Sequence, residues 1–142
     1  MAVRNISVLI LYNAEGKILL QHRCKDATRL PDYWAFFGGG IEQGETSEDV
    51  LKREIEEELG YTVKAPYFFT EQKFTHKENQ NTKYVFVEKY NDQPLTQSEG
   101  QGMGWFFSEE TATLKMVDHD RLVIEKVANY IKQEVQPRAV RI

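Results

Sequence analysis

Three glutamates in the middle of the chain place a strong constraint on its fold. Glu54, Glu57 and Glu58 lie at positions i, i+3 and i+4, so in a helix their carboxylates share one face. Residues 47–59 have the capping signals of such a helix, including Gly60 at its end. Each pair of like charges destabilises a helix by about 0.2–0.5 kcal/mol. A bound cation would offset this repulsion, so we predict a cation site on this face.

The chemistry of the predicted ligands indicates Mg²⁺ or Mn²⁺. Carboxylate oxygens are preferred by these hard cations, and Mg²⁺ is commonly held by a few carboxylates together with waters and substrate phosphates. The three histidines, His22, His76 and His119, lie far apart without metal-ligand spacing. The competing interpretation of the glutamates is a solvated run of charge on a surface helix.

The segment from Gly39 to Tyr61 resembles the Nudix box, the signature of the MutT-like Nudix hydrolase family. Every charged and glycine position of that signature is filled, in the order Gly39-x5-Glu45-x7-Arg53-Glu54-Ile55-x-Glu57-Glu58-x-Gly60-Tyr61. Two positions depart from the family pattern. Tyr61 stands where an aliphatic residue is more usual, and Phe37 precedes the glycines where many members have proline.

This resemblance implies a Nudix-type α/β/α sandwich, an α/β fold with a mixed β-sheet between helices. Similarity extends over about residues 3–135, and we predict a single domain over residues 1–142 with a loose tail from Pro137. The implied activity is metal-dependent hydrolysis of a diphosphate linked to another moiety, usually a nucleoside. The implied metal ligands are Gly39, through a backbone carbonyl, and the carboxylates of Glu54, Glu57, Glu58 and Glu99.

The resemblance also assigns catalytic roles to Glu54, Glu57, Arg53 and Glu99. Glu54 is either a metal ligand or mainly the base that accepts the proton of water. Arg53 orients a glutamate of the box. Glu99, in a loop rich in glycine, is a fourth ligand or an alternative base, whereas Glu45 is expected to brace the loop before the helix.

Composition limits the partners of this chain. It has 142 residues and a net charge of −4, which argues against nucleic-acid binding because such proteins usually present a basic face. An anionic substrate must then be met by metal and a few local cations. Arg23 and Lys25 are the candidates for substrate binding, with a solvated role equally open. We expect a small-molecule nucleotide as the partner, no nucleic acid, no membrane, and a monomer or homodimer.

Two features bear on the compartment. The single cysteine, Cys24, cannot form an intrachain disulfide, which is typical of a reducing compartment. The apolar run near the N-terminus has six or seven residues, fewer than a membrane-spanning helix needs. We therefore expect a cytoplasmic protein.

The rest of the sequence predicts mainly strands. Residues 6–12 and 17–23 are expected to form a hairpin, and a short strand at 34–37 leads into the glycines 38–40. Further strands are predicted at 61–63, 67–74, 84–90 and 104–107, with a polar loop at 76–81. A last helix begins at Asp118 or Asp120 and repeats apolar residues at Ile124, Val127, Ile131 and Val135.

The leading functional interpretation is a metal-dependent pyrophosphohydrolase. Water would attack phosphorus in a nucleoside triphosphate, or a related nucleoside diphosphate derivative, to give a monophosphate product and pyrophosphate. The runner-up is a pyrophosphatase of ADP-ribose or another nucleotide sugar. A catalytically silent nucleotide sensor is a third interpretation, although such domains usually lose carboxylates of the box. A diphosphate isomerase would need a catalytic cysteine, for which Cys24 is the candidate.

Overall fold

The structure is a computed structural model that describes residues 3–135. Within this range seven strands belong to one sheet: β1 (Ile6–Tyr12), β2 (Ile18–His22), β3 (Trp34–Ala35), β4 (Phe37–Gly40), β5 (Tyr67–His76), β6 (Asn79–Lys89) and β7 (Gly102–Phe106). The helices are α1 (Ser47–Leu59), a 3₁₀ helix (Ser108–Thr113) and α2 (Asp118–Val135). The predicted tail from Pro137 lies outside the described residues.

The sheet is mixed. Its main order is β3-β2-β1-β6-β5, with β4 also paired to β1 and β7 to β2. β1 runs parallel to β6, and its pairs with β2 and β4 are antiparallel. Ile6, at the start of β1, pairs with Gly40 on one side and with Lys83 on the other. This register brings the end of the glycine run and the middle of β6 to within two strand spacings, about 10 Å.

Helices cover both faces of the sheet. Side chains of β1 alternate between the faces: Val8 and Ile10 pack in the core beneath α2, whereas Leu9 and Leu11 pack in the core beneath α1. The apolar residues of α1, Val50, Leu51, Ile55 and Leu59, are all buried against the sheet. The predicted α/β/α sandwich with a mixed sheet is confirmed.

Helix α1 has the predicted bounds because its ends are defined locally. The Thr46 hydroxyl accepts a hydrogen bond from the Asp49 amide at 3.0 Å, which caps the first turn. Gly60 adopts the left-handed conformation with φ 65°, and its amide donates to the Glu56 carbonyl at 2.9 Å. The acidic face is thereby fixed beside the glycines of β4.

The predicted strand at residues 61–63 is wrong. Tyr61 is completely buried, and its hydroxyl donates to the Glu88 carboxylate at 2.7 Å. The backbone of Thr62 exchanges hydrogen bonds of 2.8 and 2.9 Å with the side-chain amide of Gln93. The Gln93 side chain therefore occupies the position that the backbone of a neighbouring strand would need.

The predicted polar loop at residues 76–81 is also wrong. His76 still belongs to β5 and pairs with Asn79, the first residue of β6. The connection contains only Lys77 and Glu78, both in the left-handed conformation with φ of 50° and 69°. Polar composition indicated a loop, but the residues form a hairpin with a two-residue turn. Across residues 3–135, no helix has the length and hydropathy needed to cross a membrane.

Candidate active site

A cavity of about 480 Å³ lies between the glycines of β4, the acidic face of α1 and the start of α2. Glu54 and Glu58 line it from α1. The Gly38 amide donates to Glu58 Oε1 at 3.1 Å. Burial, with the nearby charges of Glu54 and Glu99, raises the pKa of Glu58 to about 8, although the Gly38 hydrogen bond and Arg23 oppose this shift. Burial beside other carboxylates thus favours the protonated form of Glu58 in this structure.

The glycines of β4 are required because other groups lie against their backbone. A Cβ atom on Gly38 would overlap the backbone of Ser7 in β1, and one on Gly39 would overlap the side chain of Glu54. The close approach at Gly39 leaves its backbone beside a carboxylate. This arrangement combines a backbone segment with carboxylate oxygens on one wall of the cavity.

Arg53 links the loop before α1 to the acidic face. Its Nη2 donates to both oxygens of Glu45, at 3.0 and 3.1 Å, and its Nη1 donates to Glu54 Oε2 at 2.8 Å. Glu57 Oε1 lies farther from Nη1, at 3.8 Å. Glu45 therefore braces the loop through Arg53, and one guanidinium restrains the Glu54 carboxylate.

The remaining predicted residues lie at different distances from the cavity. Glu99 is exposed, but its loop is attached to α1 by the Ser98 amide, which donates to the Glu58 carbonyl at 3.1 Å. The Glu57 side chain is 61% exposed and does not line the cavity. Lys25 is exposed and also lies outside the lining. Arg23 does line the cavity.

Two cavity arginines, Arg4 and Arg29, were missed by sequence analysis. Arg4 precedes β1, and the pairing of that strand with β4 places its guanidinium 2.9 Å from a Cβ position on Gly40. Burial and the charges of Arg29 and Arg23 lower the pKa of Arg4, whereas Glu54 opposes this effect. Arg4 and Arg29 line the same cavity as Glu54 and Glu58, but each is isolated in sequence, so no local pattern reveals them.

The oxygen donors fit a hard divalent cation. Glu54 and Glu58 share a cavity wall, where burial and then the charge of Glu54 raise the pKa of Glu58. Over residues 3–135, no three His, Cys, Asp or Glu side chains already stand in a metal-binding arrangement. Arg53 holds Glu54, and Glu57 extends into solvent, so completing a ligand set requires side-chain rotation on α1.

Comparison with known proteins identifies the family. The family model described as NUDIX domain matches residues 1–127. This chain belongs to the NUDIX family. The resemblance inferred from the box is thereby confirmed.

Individual relatives agree with the family assignment. An uncharacterised Nudix hydrolase of Listeria innocua is 33% identical over 114 residues, which are 79% of this chain and 62% of that protein. A nucleoside triphosphatase named NudI, from Enterobacter sp. (strain 638), is 47% identical over 60 residues, 42% of each protein. This chain therefore matches less than two thirds of the length of either curated relative. A MutT protein structure from Methanosarcina mazei has the same fold, with TM-score 0.80, 20% identity, and coverage of 94% of this chain and 96% of that one.

In this NUDIX chain the far end of the cavity holds a buried polar cluster that sequence analysis missed. Lys83 of β6, 1% exposed, forms an ion pair with Asp120 of α2. The Lys83 ammonium also lies 2.7 Å from Nδ1 of His119, whose ring stacks on Phe74 at 4.4 Å. The available signal was alternation: Lys83 shares a strand face with the core residues Val85 and Val87.

Proposed function

We propose that this NUDIX chain is a metal-dependent pyrophosphohydrolase of a nucleoside triphosphate or a related nucleoside diphosphate derivative. The observation that carries the proposal is one cavity in which Glu54 and Glu58 adjoin Arg4, Arg23 and Arg29. A polyphosphate needs cationic groups for its oxygens, and its hydrolysis needs groups that position and deprotonate water. The arginines and carboxylates of one cavity are candidates for these two tasks.

The arginines bind and orient the phosphates. Guanidinium groups donate paired hydrogen bonds that match the geometry of phosphate oxygens and remain charged at all relevant pH values. Arg23 donates through Nε to the Arg29 carbonyl at 2.8 Å, and within residues 3–135 its terminal nitrogens make no hydrogen bond, so they can bind a ligand. Arg4 lies in the same cavity, next to Gly40. A polyphosphate held between them lies against the carboxylate wall.

Glu54, Glu57, Glu58, Glu99 and the Gly39 carbonyl are the residues that would hold Mg²⁺ or Mn²⁺. When bound, such a cation neutralises phosphate oxygens and lowers the pKa of water. Arg53 orients Glu54, which accepts the proton of the attacking water in this proposal, with Glu99 as the alternative base. The name of the relative NudI, a nucleoside triphosphatase, supports a nucleoside triphosphate as substrate.

A phosphate-release screen tests this proposal. Purified protein is incubated with ribo- and deoxyribonucleoside triphosphates, nucleoside diphosphates and ADP-ribose, with Mg²⁺ or Mn²⁺ and added inorganic pyrophosphatase. We expect turnover of at least one triphosphate, with phosphate released only when pyrophosphatase is present. Chromatography of the nucleotide products, which does not depend on pyrophosphatase, should show no turnover in excess EDTA. Turnover of ADP-ribose alone would move the assignment to the nucleotide-sugar class, and full activity in EDTA would refute the metal dependence.

Matched glutamine variants locate the activity on the acidic face. Glu54→Gln and Glu58→Gln are each expected to lower turnover at least about a hundredfold, the effect typical of removing a preorganised electrostatic group. Glu99→Gln is expected to lower it less, because a residue in an exposed loop can be replaced in part by water. Glu56→Gln is the control, since Glu56 lies on the exposed side of the same helix. Equal activity of all four variants would exclude this face from the reaction.

A further inference from the structure

The ion pair between Lys83 and Asp120 is difficult to explain by stability alone. Both side chains are nearly inaccessible, 1% and 8% exposed, yet both line the cavity. Desolvation of two charges commonly outweighs their attraction, and apolar replacements of buried ion pairs are often neutral or stabilising. A pair retained at the wall of a ligand-sized cavity is therefore a candidate for ligand recognition.

The pair has hydrogen-bonding capacity left over. The Lys83 ammonium carries three protons, of which Asp120 Oδ1 and His119 Nδ1 accept two. Burial and the Lys83 charge lower the pKa of His119, consistent with a neutral ring whose Nδ1 accepts. Within residues 3–135, Asp120 makes no hydrogen bond through Oδ2. Lys83 thus has one N–H left to donate, and the neighbouring Asp120 carboxylate has Oδ2 left to accept.

The surroundings suit a planar ring. Phe36 and Phe74 line this end of the cavity, and the Lys83 ammonium lies 5.8 and 5.7 Å from their ring centroids. Phe74 is held by its stack on His119, whose carbonyl accepts a hydrogen bond from Gln72 at 2.9 Å. Ile6 pairs with both Gly40 and Lys83, which places Lys83 about 10 Å from Gly40, at the end of the cavity where the phosphates would bind. The two ends therefore lie within the span of one nucleotide.

We propose that Lys83 and Asp120 select a nucleobase whose edge presents a carbonyl beside a ring N–H, as in uracil, thymine and guanine. This assignment rests on the proposed function, because it places the phosphates of the same ligand among the arginines. The Lys83 ammonium donates to the carbonyl oxygen, and Asp120 Oδ2 accepts from the ring N–H. Cytosine and adenine in the same orientation would direct an amino group at the ammonium and a nitrogen lone pair at the carboxylate.

Binding of monophosphates tests this selection without turnover. Calorimetric titration of the full chain in EDTA compares dUMP with dCMP, and IMP with AMP, since the members of each pair differ at the edge in question. We expect the oxo base of each pair to bind at least about tenfold more tightly, the discrimination typical of two specific hydrogen bonds. Equal affinities, tighter binding of the amino base, or no binding by any of the four would overturn the proposal.

Variants distinguish recognition from a structural role. Asp120→Asn and Lys83→Met are expected to bring the dUMP-to-dCMP affinity ratio close to one, with folding checked by circular dichroism. If the pair is merely structural, the substitutions should lower the affinities for dUMP and dCMP alike and leave their ratio unchanged. The ratio should also stay unchanged if the base does not bind in this cavity. Asp120→Asn preserves side-chain volume, so it remains informative even if Lys83→Met does not fold. Lys73→Met is the control, because Lys73 lies on β5 outside the cavity lining.

The outcome is separable from the proposed hydrolysis. A preference for dUMP over dCMP together with no turnover of any nucleotide would retain the base assignment and refute the pyrophosphohydrolase. Turnover of nucleoside triphosphates with equal affinity for dUMP and dCMP would retain the pyrophosphohydrolase and refute the base assignment.

Discussion

Arg53 and Glu45 form a forked ion pair in which Nη2 of the arginine lies 3.0 and 3.1 Å from the two carboxylate oxygens. The same guanidinium reaches Glu54 through Nη1 at 2.8 Å. Arg53 precedes Glu57 by four residues, the less favourable order for an ion pair on a helix, and their separation is 3.8 Å. The main contacts of Arg53 are therefore with the loop and with Glu54, which indicates a positioning role.

Replacement of Arg53 by lysine should lower turnover with little change in stability. Lysine keeps the charge but cannot donate in a fork to Glu45 while also holding Glu54. Misplacement of a reacting group by about 1 Å can lower a rate about a hundredfold, whereas partly exposed ion pairs contribute about 0–1 kcal/mol to stability. Steady-state kinetics and thermal melts measure both effects. Lys52→Arg, which alters the exposed lysine paired with Glu48, is the control, and unchanged kcat in Arg53→Lys would contradict the positioning role.

Gly39→Ala should impair activity more than folding. The added Cβ overlaps the side chain of Glu54, which can rotate away without moving the backbone, so the melting temperature should remain close to that of the wild type. The displaced carboxylate would leave the cavity wall and turnover would fall. Gly102→Ala is the matched control, because a Cβ there meets no atom within 4 Å. Equal kcat values for the two variants would show that Glu54 does not act from its position against Gly39.

The raised pKa of Glu58 predicts how stability depends on pH in the absence of metal. Its pKa is about 8 in the folded state against 4.5 ordinarily, mainly because of burial. Between these values the folded state retains a proton that the unfolded chain has lost, so the contribution of this carboxyl to stability is present below pH about 4.5 and lost as the pH rises towards about 8. In EDTA, the melting temperature of the wild type should therefore fall relative to Glu58→Gln across this range.

Melting curves of the wild type, Glu58→Gln and Glu56→Gln over this pH range provide the measurement. Glu56 is exposed, so its variant should follow the wild type. Parallel behaviour of Glu58→Gln and the wild type would mean that Glu58 is ionised normally in the folded protein.

The elements that sequence analysis predicted well are those whose determinants are local. Helix α1 has its cap, its apolar repeat and its terminal glycine within fifteen consecutive positions, 46–60. The segment at 61–63 was predicted as a strand from its β-branched and aromatic residues, but Glu88 and Gln93, more than 25 positions away, supply its hydrogen bonds. Local propensity cannot reveal such distant partners.

The same distinction applies to the candidate site. The box carboxylates and Gly39 lie within one signature, so the family resemblance could assign them from a single stretch of sequence. Arg4 and Lys83 enter the cavity only because β1 pairs with β4 on one side and with β6 on the other. That pairing joins residues 28 or more positions apart, and a single sequence carries no signal of its register.

Thermal melts with and without metal separate the two interpretations of Glu57, a ligand or a solvated acid. In EDTA, Glu57→Gln should melt at or slightly above the wild-type temperature. The change relieves repulsion on α1 and removes an anion near the negative end of the helix, partly offset by loss of the 3.8 Å contact with Arg53.

With saturating Mg²⁺ this order should reverse. A cation that binds only the folded state stabilises it by RT ln(1 + [L]/Kd), about 2.7 kcal/mol at a hundred times Kd. A variant with a weaker site gains less, whereas Glu56→Gln, altered one position earlier on the exposed side, should gain as much as the wild type. Because Glu57 is 61% exposed and outside the cavity lining, it becomes a ligand only if its side chain rotates towards Glu54 and Glu58. Equal Mg²⁺-induced shifts for Glu57→Gln and the wild type would show that it does not, and would leave the other glutamates as the carboxylate ligands.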